Sequence, residues 1–260
     1  MHVAGSGPRT FVLSHGWTND RRVWGPVARR LVERGHRVAV YDQRGHAGSR
    51  AGTDGLAMSA LADDLAVVLE HVGGTGVTVV GHSMGGMAAQ ALLVERPEVA
   101  EERVGAVVLV STACAGAGSP GAFQEVTALV LSSPALDRAL ASPRVGPRMV
   151  RGVVGRHAPP SHLGAVRDLL VATPPLTRTG LAAAMAAMDF SAALASVRLP
   201  VAVVVGSRDR LTPPAQSRRL VGIIPGASLH VIPDAGHMLP FEAPDELADL
   251  IERTPATTLA

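Results

Sequence analysis

The chain of 260 residues has no lysine, a single cysteine, few aromatic residues and no long apolar run. All 24 basic residues are arginines, spread along the chain without the basic block that follows a nucleic-acid backbone. Aromatic residues make up only 3% of the sequence, so platforms for stacking bases are missing as well. We therefore expect no nucleic-acid partner.

The lone cysteine and the absence of a hydrophobic leader bear on location and metal content. Cys114 has no second cysteine with which to form a disulfide or a zinc site, and we expect a small buried apolar residue. Residues 1–10 lack the apolar core of a signal peptide, and no stretch reaches the roughly 20 unbroken apolar residues of a membrane span. His46, His157 and His162 lack the spacing of metal ligands. The sequence thus predicts a soluble, cytoplasmic protein without metal or cofactor.

Short apolar runs alternate with helical patterns over most of the chain. The predicted strands are residues 10–14, 37–42, 77–80, 104–110, 201–205 and 229–232. The predicted helices are residues 23–34, 59–72 with Ser59 as the N-cap, 86–95 ended by Pro97, 213–223 and 244–253. This alternation predicts an α/β fold with a mostly parallel, doubly wound sheet and helices on both faces.

The alternation stops between residues 115 and 197, where several short helical patterns lie between prolines. The segment is too long for a plain loop, and it predicts an all-helical cap inserted into a core formed by residues 1–114 and 198–260. Five apolar residues are candidates for lining a substrate pocket under this cap: Phe123, Met149, Leu181, Met185 and Met188. The last three share one helix face, which either lines the cavity or only attaches the cap to the core.

A glycine-flanked serine lies between a predicted strand and a predicted helix. The segment Gly81-His82-Ser83-Met84-Gly85 has the G-x-S-x-G spacing that is typical of a nucleophile elbow. Glycines at both ends permit a turn too tight for side chains. The serine would stand at a helix N-terminus, where developing negative charge is favoured. Taken alone, the motif fits a glycine-rich turn with a capping serine equally well.

An acid and a histidine follow later strands in the order that a serine nucleophile requires. Asp209 and His237 each come just after a predicted strand, and the carboxyl ends of parallel strands share one edge of a sheet. A serine hydroxyl needs such a base and an orienting acid. Asp234 is a weaker candidate for the acid, since its position predicts a role in shaping the histidine loop. Asp189 is expected to be structural. Residues 111–113, which follow the predicted strand 104–110, carry no carboxylate that could serve as the acid.

Five segments in this order resemble the α/β-hydrolase family, in its serine carboxylesterase and lipase-like branch with a helical cap. They are His15-Gly16-Trp17, Asp42-Gln43-Arg44-Gly45-His46, Gly81-His82-Ser83-Met84-Gly85-Gly86, Gly206-Ser207-Arg208-Asp209 and Ala235-Gly236-His237. The resemblance implies Ser83 as nucleophile, His237 as general base and then acid, and Asp209 as its orienting carboxylate. It also implies an oxyanion hole made by the backbone N–H groups of Trp17 and Met84.

Other details of these segments carry narrower expectations. His15 and His82 are expected to hydrogen-bond within their own turns. The family often has glycine where this chain has Ala47, which changes little beyond local backbone freedom. The chain before Phe11 leaves room for at most one strand, so the leading hairpin usual in the family is expected to be truncated.

The serine at the elbow narrows the reaction that the resemblance implies. Haloalkane dehalogenases and epoxide hydrolases have aspartate there, and the cap residues of hydroxynitrile lyases have no match. The remaining interpretation is an esterase that cleaves small or medium apolar acyl or aromatic esters through an acyl-enzyme, with a small-molecule ester-like substrate as its partner. No arginine is evidently placed to hold a substrate carboxylate, although Arg148, Arg151 and Arg156 in the cap are available.

Two alternatives stay open, and the oligomeric state is undetermined. One is an enzyme of the same fold that acts on a carbon–carbon bond, a lactone, a thioester or a peroxyacid. The other is a small-molecule receptor or signalling scaffold that keeps the triad without its chemistry.

Overall fold

A seven-stranded sheet forms the centre of the computed structural model, which describes residues 1–116, 131–156 and 158–257. The strands are β1 His2–Ala4, β2 Thr10–Ser14, β3 Arg37–Tyr41, β4 Val77–His82, β5 Val104–Val110, β6 Val201–Gly206 and β7 Ser228–Ile232. Their spatial order is β1-β3-β2-β4-β5-β6-β7. Every pair is parallel except β1 with β3, so the predicted mostly parallel sheet is confirmed.

Helices flank the sheet and make up most of the described part of the segment between β5 and β6. They are α1 Gly25–Glu33, α2 Met58–Val72, α3 Met84–Glu95, α4 Pro97–Arg103, α5 Pro134–Ala141, α6 Gly146–Met149, α7 Pro160–Ala172, α8 Pro175–Ala187, α9 Pro214–Ile223, α10 Leu239–Glu242 and α11 Pro244–Arg253. Short 3-10 helices span Arg21–Trp24, Arg151–Val153 and Ala193–Ser196. Within the described ranges, no helix has both the length and the apolarity needed to cross a membrane.

The strands are apolar on both faces because both faces are covered. Phe11 and Leu13 join one buried cluster, whereas Val12 between them joins the other. Val79 and Val80 of β4 divide between the same two clusters. This alternation follows from the two-residue period of a strand. Each such side chain contributes about 1.5–3 kcal/mol when it is withdrawn from water, which explains why the β-branched runs identified the strands.

Three helix starts differ from the sequence-based predictions. The predicted N-cap at Ser59 is wrong, because α2 begins at Met58 after Ala57, which makes no side-chain cap hydrogen bond. The helix after the elbow begins at Met84 rather than Gly86, since the carbonyl of Ser83 already accepts helical hydrogen bonds. The predicted helix 23–34 divides into a 3-10 turn and α1, which has proline in its first turn.

The helical insertion leaves and rejoins the sheet through a short two-stranded stem. Ala115 and Asp189 form an antiparallel bridge. On either side of it, Gly116 N–H donates to the carbonyl of Met188 and Phe190 N–H donates to that of Cys114, at 2.9 and 2.8 Å. Cys114 itself is fully buried, and Asp189 belongs to this stem.

The apolar residues assigned to a substrate pocket lie in different surroundings. Leu181 and Met188 are buried in the same apolar cluster as α2 and α3, and Met185 packs against it. These contacts attach the insertion to the sheet. Met149 is 46% exposed to solvent. Phe123 lies outside the described residues, so the structure gives no position for its side chain.

The turn between β4 and α3 has no room for side chains at its glycines. A Cβ atom on Gly81 would lie 2.3 Å from the carbonyl oxygen of Gly85, and one on Gly85 would lie 2.3 Å from that of Ser14. A Cβ on Gly86 would approach the side chain of Thr112 at 2.8 Å. Because the first two obstacles are backbone atoms, no rotamer change can relieve them. The turn therefore depends on glycine for steric reasons.

Replacing Gly85 with alanine should destabilise the fold by about 3 kcal/mol, because the backbone of β2 would have to move. Gly164→Ala is a matched control in the interior of α7, where an added Cβ meets no atom within 4 Å. It should leave the free energy of unfolding unchanged or raise it by about 0.5–1 kcal/mol. Urea unfolding measures both, and equal stabilities for the two variants would contradict the steric argument.

Candidate active site

Ser83 is held in a conformation that most residues avoid. Its φ is 53° and its ψ is −117°, a region that costs on the order of 1–3 kcal/mol for a residue with a side chain. Four hydrogen bonds oppose the strain. Its N–H donates to the carbonyl of Val110 at 2.8 Å, and its own carbonyl accepts from the N–H groups of Gly86 and Met87 and from the hydroxyl of Thr112. The backbone is thus fixed while the side chain stays partly exposed.

Two backbone N–H groups near Ser83 have no hydrogen-bond acceptor among the described residues: those of Met84 and Trp17. Met84 is the first residue of α3, so its N–H has no carbonyl within the helix and lies at the positive end of the helix dipole. Trp17 follows the end of β2, which pairs with β4 through Ser14 and Gly81. Both groups are therefore available to a negatively charged oxygen at the carboxyl edge of the sheet.

Asp209 and His237 form a buried hydrogen-bonded pair. The Nδ1 atom of His237 lies 2.9 Å from Oδ2 of Asp209, and each residue is only 3% exposed. The carboxylate also accepts from the N–H groups of Leu211 and Thr212 and from the Thr212 hydroxyl, each at 2.9 Å. Burial opposes the charged form, but the hydrogen bond and charge of His237 and the bonds from Thr212 outweigh it, so the pKa of Asp209 lies below its ordinary value.

Two further histidines fix the loop that carries Trp17. His15 donates from Nδ1 to the carbonyl of Gly16 at 2.8 Å and accepts at Nε2 from the N–H of Gln43 at 2.9 Å. Burial lowers the pKa of His15 to about 3, so the ring is neutral. His46 accepts from the N–H of Thr18 at 3.1 Å, and burial also lowers its pKa. Neutral rings can donate at one nitrogen and accept at the other, as this loop requires.

His82 connects the elbow with the loop of His237. It was expected to hydrogen-bond within its own turn, and that prediction is wrong. Its Nε2 atom donates to the carbonyl of His237 at 2.8 Å, and the two ring centroids lie 5.0 Å apart. Burial first, and then the neighbouring His237, lowers the pKa of His82 to about 3. His82, which directly precedes Ser83, therefore holds the backbone of His237, the base that the sequence predicts for Ser83.

Glu242 is the residue that sequence reasoning missed. Its carboxylate accepts from the N–H groups of Gly236 and Met238, on either side of His237, at 2.9 Å each. It also accepts from the N–H of Gly155 in the insertion at 2.7 Å. The carbonyl of Val153 in the same segment accepts from the N–H of His237 at 3.0 Å. The sequence gives one signal of this role, which is an acidic residue five positions after His237.

The two alternative acids have other surroundings, and His157 lies outside the described residues. Asp234 adopts a φ of 57°, and its carboxylate faces Arg208 at 3.4 Å. Asp189 accepts from the N–H of Ser191 at 2.8 Å. In the described part of the chain, no group of three histidine, cysteine or acidic side chains is placed to hold a metal ion.

Comparison with known proteins decides the family. The family model described as "alpha/beta hydrolase fold" matches residues 9–244. The chain belongs to the alpha/beta hydrolase family. An esterase structure from Thermogutta terrifontis is 26% identical, with a TM-score of 0.80, and the match covers 96% of this chain and 90% of that one.

Two other proteins match over most of their length. The enol-lactonase structure from Burkholderia xenovorans is 26% identical, with a TM-score of 0.81, and the match covers 96% of this chain and 94% of that one. A protein of Variovorax paradoxus named "Putative carbamate hydrolase RutD" is 27% identical over 260 residues, which are 91% of this chain and 89% of that protein.

The Glu242→Gln variant should lose about 1–2 kcal/mol of stability, because an amide cannot accept from three N–H groups as a carboxylate does. Glu246→Gln, four residues further along in α11, changes an exposed glutamate and serves as the matched control. Urea unfolding at pH 7 compares the two. If both variants lose the same small amount, the three hydrogen bonds of Glu242 do not hold the loop.

The buried His82 should make stability depend on pH. The unfolded chain protonates near the ordinary pKa of 6.5, whereas the folded pKa is about 3. Between these values only the unfolded state takes up the proton, so stability falls as pH falls, by about 1.4 kcal/mol per pH unit. The variant His82→Gln keeps a donor for the carbonyl of His237 but cannot titrate. Its unfolding free energy, measured in urea from pH 7 to pH 5, should fall less steeply than that of the wild type; parallel curves would contradict this.

Proposed function

We propose that this hydrolase cleaves carboxylic esters through an acyl-enzyme formed on Ser83. The observation that carries the proposal is the buried Asp209–His237 hydrogen bond of 2.9 Å, held next to the strained elbow by the bond from His82 to His237. A serine hydroxyl needs a positioned base to become nucleophilic, and a histidine needs an acid that fixes its tautomer. The hydrogen bonds that join Asp209, His237 and His82 support this assignment.

Each group in the network has a definite task in the proposed reaction. Asp209 stays ionised because of its low pKa, and it keeps a proton on Nδ1 of His237. Nε2 of His237 is then free to take the proton of Ser83 as the hydroxyl attacks the ester carbonyl. The N–H groups of Trp17 and Met84 stabilise the oxyanion, each contributing about 2.7–4 kcal/mol to the transition state. His237 next returns the proton to the leaving alcohol and activates water against the acyl-enzyme.

The helical insertion is proposed to act as a cap that selects the substrate. It joins the body through the stem at Ala115 and Asp189 and through the contacts of Val153 and Gly155 with the His237 loop. Its apolar side chains include Leu181 and Met188, which are buried in the same core cluster as α2 and α3. A cap of this composition would favour small to medium acyl or aromatic groups. The similarity to an esterase supports the choice of the ester bond.

A lactone is the second candidate substrate, favoured by the similarity to an enol-lactonase. A lactone is a cyclic ester, so the same attack and the same oxyanion apply, and the leaving alcohol stays attached to the acyl group. The ratio of kcat/KM for a five-membered lactone to that for p-nitrophenyl acetate separates the two substrate classes.

Hydrolysis of p-nitrophenyl acetate and butyrate tests the proposal. Ser83→Ala should abolish turnover, and Asp209→Asn should lower kcat about 10³–10⁴-fold because the histidine tautomer is no longer fixed. Asp234→Asn is the matched control, since Asp234 adopts a left-handed conformation that asparagine also tolerates, and it should change kcat less than fivefold. A folded wild type without turnover on any ester, or equal effects at the two aspartates, would overturn the assignment.

The acyl-enzyme can be observed directly in the variant His237→Ala. Deacylation should slow more than acylation, so intact mass spectrometry should show the chain carrying one acyl group from p-nitrophenyl butyrate. Ser83→Ala treated in the same way should show no adduct, and an adduct on that variant would place the acyl group elsewhere.

A further inference from the structure

The guanidinium of Arg178 is fully buried with too few partners. Its side chain is 0% exposed, and its Nη2 atom donates to one oxygen of Asp137 at 2.7 Å. Nε and Nη1 are shielded from water, and no acceptor in the described part of the chain lies within hydrogen-bond distance of them. Asp137 is itself 37% exposed. One monodentate contact with a partly hydrated carboxylate is all that the described residues provide.

This arrangement costs stability unless something else binds the guanidinium. Withdrawing an ion from water costs several kcal/mol, and excellent geometry with further hydrogen bonds is needed to offset it. Arg44 shows how the same chain completes such a site. Its side chain is 7% exposed, and it donates to both oxygens of Asp64, to Asp54 and to the carbonyl of Gly55. Arg178 differs because Nε and Nη1 have no acceptor among the described residues.

Arg178 lies where the insertion meets the loop of the proposed oxyanion hole. It belongs to α8, and its carbonyl accepts from the indole N–H of Trp17 at 3.1 Å. The preceding Thr177 packs so closely on Gly45 that a Cβ there would lie 2.7 Å from its side chain. The residue whose backbone N–H is proposed to bind the substrate carbonyl is thus in direct hydrogen-bond contact with Arg178.

We propose that Arg178 binds a carboxylate of the substrate, so that the enzyme prefers esters or lactones whose acyl part carries a free carboxylate. A planar guanidinium suits a carboxylate because it can donate two parallel hydrogen bonds. Burial strengthens the interaction and excludes competing water. This inference rests on the proposed ester hydrolysis. It also replaces the arginines considered from the sequence, since Arg151 and Arg156 are exposed whereas Arg178 is buried.

A matched pair of substrates tests the inference. p-Nitrophenyl butyrate and the mono-p-nitrophenyl ester of glutaric acid share the reacting bond and differ by a terminal carboxylate. The wild type should have the higher kcat/KM for the glutarate ester. In Arg178→Met the ratio of the two kcat/KM values should fall about 10–100-fold, mainly through KM, because the contact is made in both ground state and transition state. Arg178→Lys should recover only part of the ratio.

A control variant separates this site from a general effect of charge. Arg103→Met removes an arginine of α4 that pairs with the neighbouring Glu102, and it should leave the ratio unchanged. A wild type without preference for the glutarate ester, or an unchanged ratio in Arg178→Met, would overturn the inference. Hydrolysis of the butyrate ester in that experiment would leave the proposed function standing.

A binding measurement keeps the inference testable if Arg178→Met does not fold. Glutarate should raise the melting temperature of the wild type, whereas neutral glutaramide at the same concentration and ionic strength should not. Equal shifts would overturn the inference even if no ester is hydrolysed.

Discussion

The steric contact of backbone with backbone at the turn after β4 is the constraint on which the rest of the site depends. Gly81 and Gly85 bring α3 so close to β2 that a single methyl group would collide with a carbonyl. This closeness leaves Ser83 with a positive φ and leaves the first N–H of the helix without an acceptor. Backbone strain and a free donor are thus two results of one close approach. β6 and β7 lie two and three strands away from β4, and the loops that follow them carry Asp209 and His237.

Much of the fold could be predicted from the sequence because its signals are local. β-Branched runs located β2 to β7 to within one or two residues, and the strand-end positions of Asp209 and His237 predicted that these two side chains meet. Helix starts were less predictable. Ser59 has the chemistry of an N-cap, but the packing of Met58 moved the helix start by one residue. Local preference is weaker than the requirement to bury an apolar side chain.

The supporting residues could not be predicted because their partners are distant in sequence. Glu242 matters through Gly155, which lies 87 residues earlier, and His82 matters through a carbonyl 155 residues later. Nothing in the sequence distinguishes Arg178 from the 23 other arginines, and it stands out only through its burial in the fold. Met149 was assigned to the pocket for its apolar character alone, and nearly half of its surface is in solvent. Such roles depend on burial and on pairings that composition and spacing do not encode.

The hydrogen bonds that Val153 and Gly155 make with the His237 loop and Glu242 have a consequence for how this protein can diversify. The helical insertion cannot be exchanged as a unit between relatives, because Val153 and Gly155 within it hydrogen-bond to His237 and Glu242. A replacement across residues 153–155 would remove the hydrogen bond that the N–H of His237 donates to Val153 and one of the three that Glu242 accepts. Changes in the helices on either side would leave both in place. New specificities are therefore expected to arise by change within the insertion rather than by substitution of the insertion as a unit.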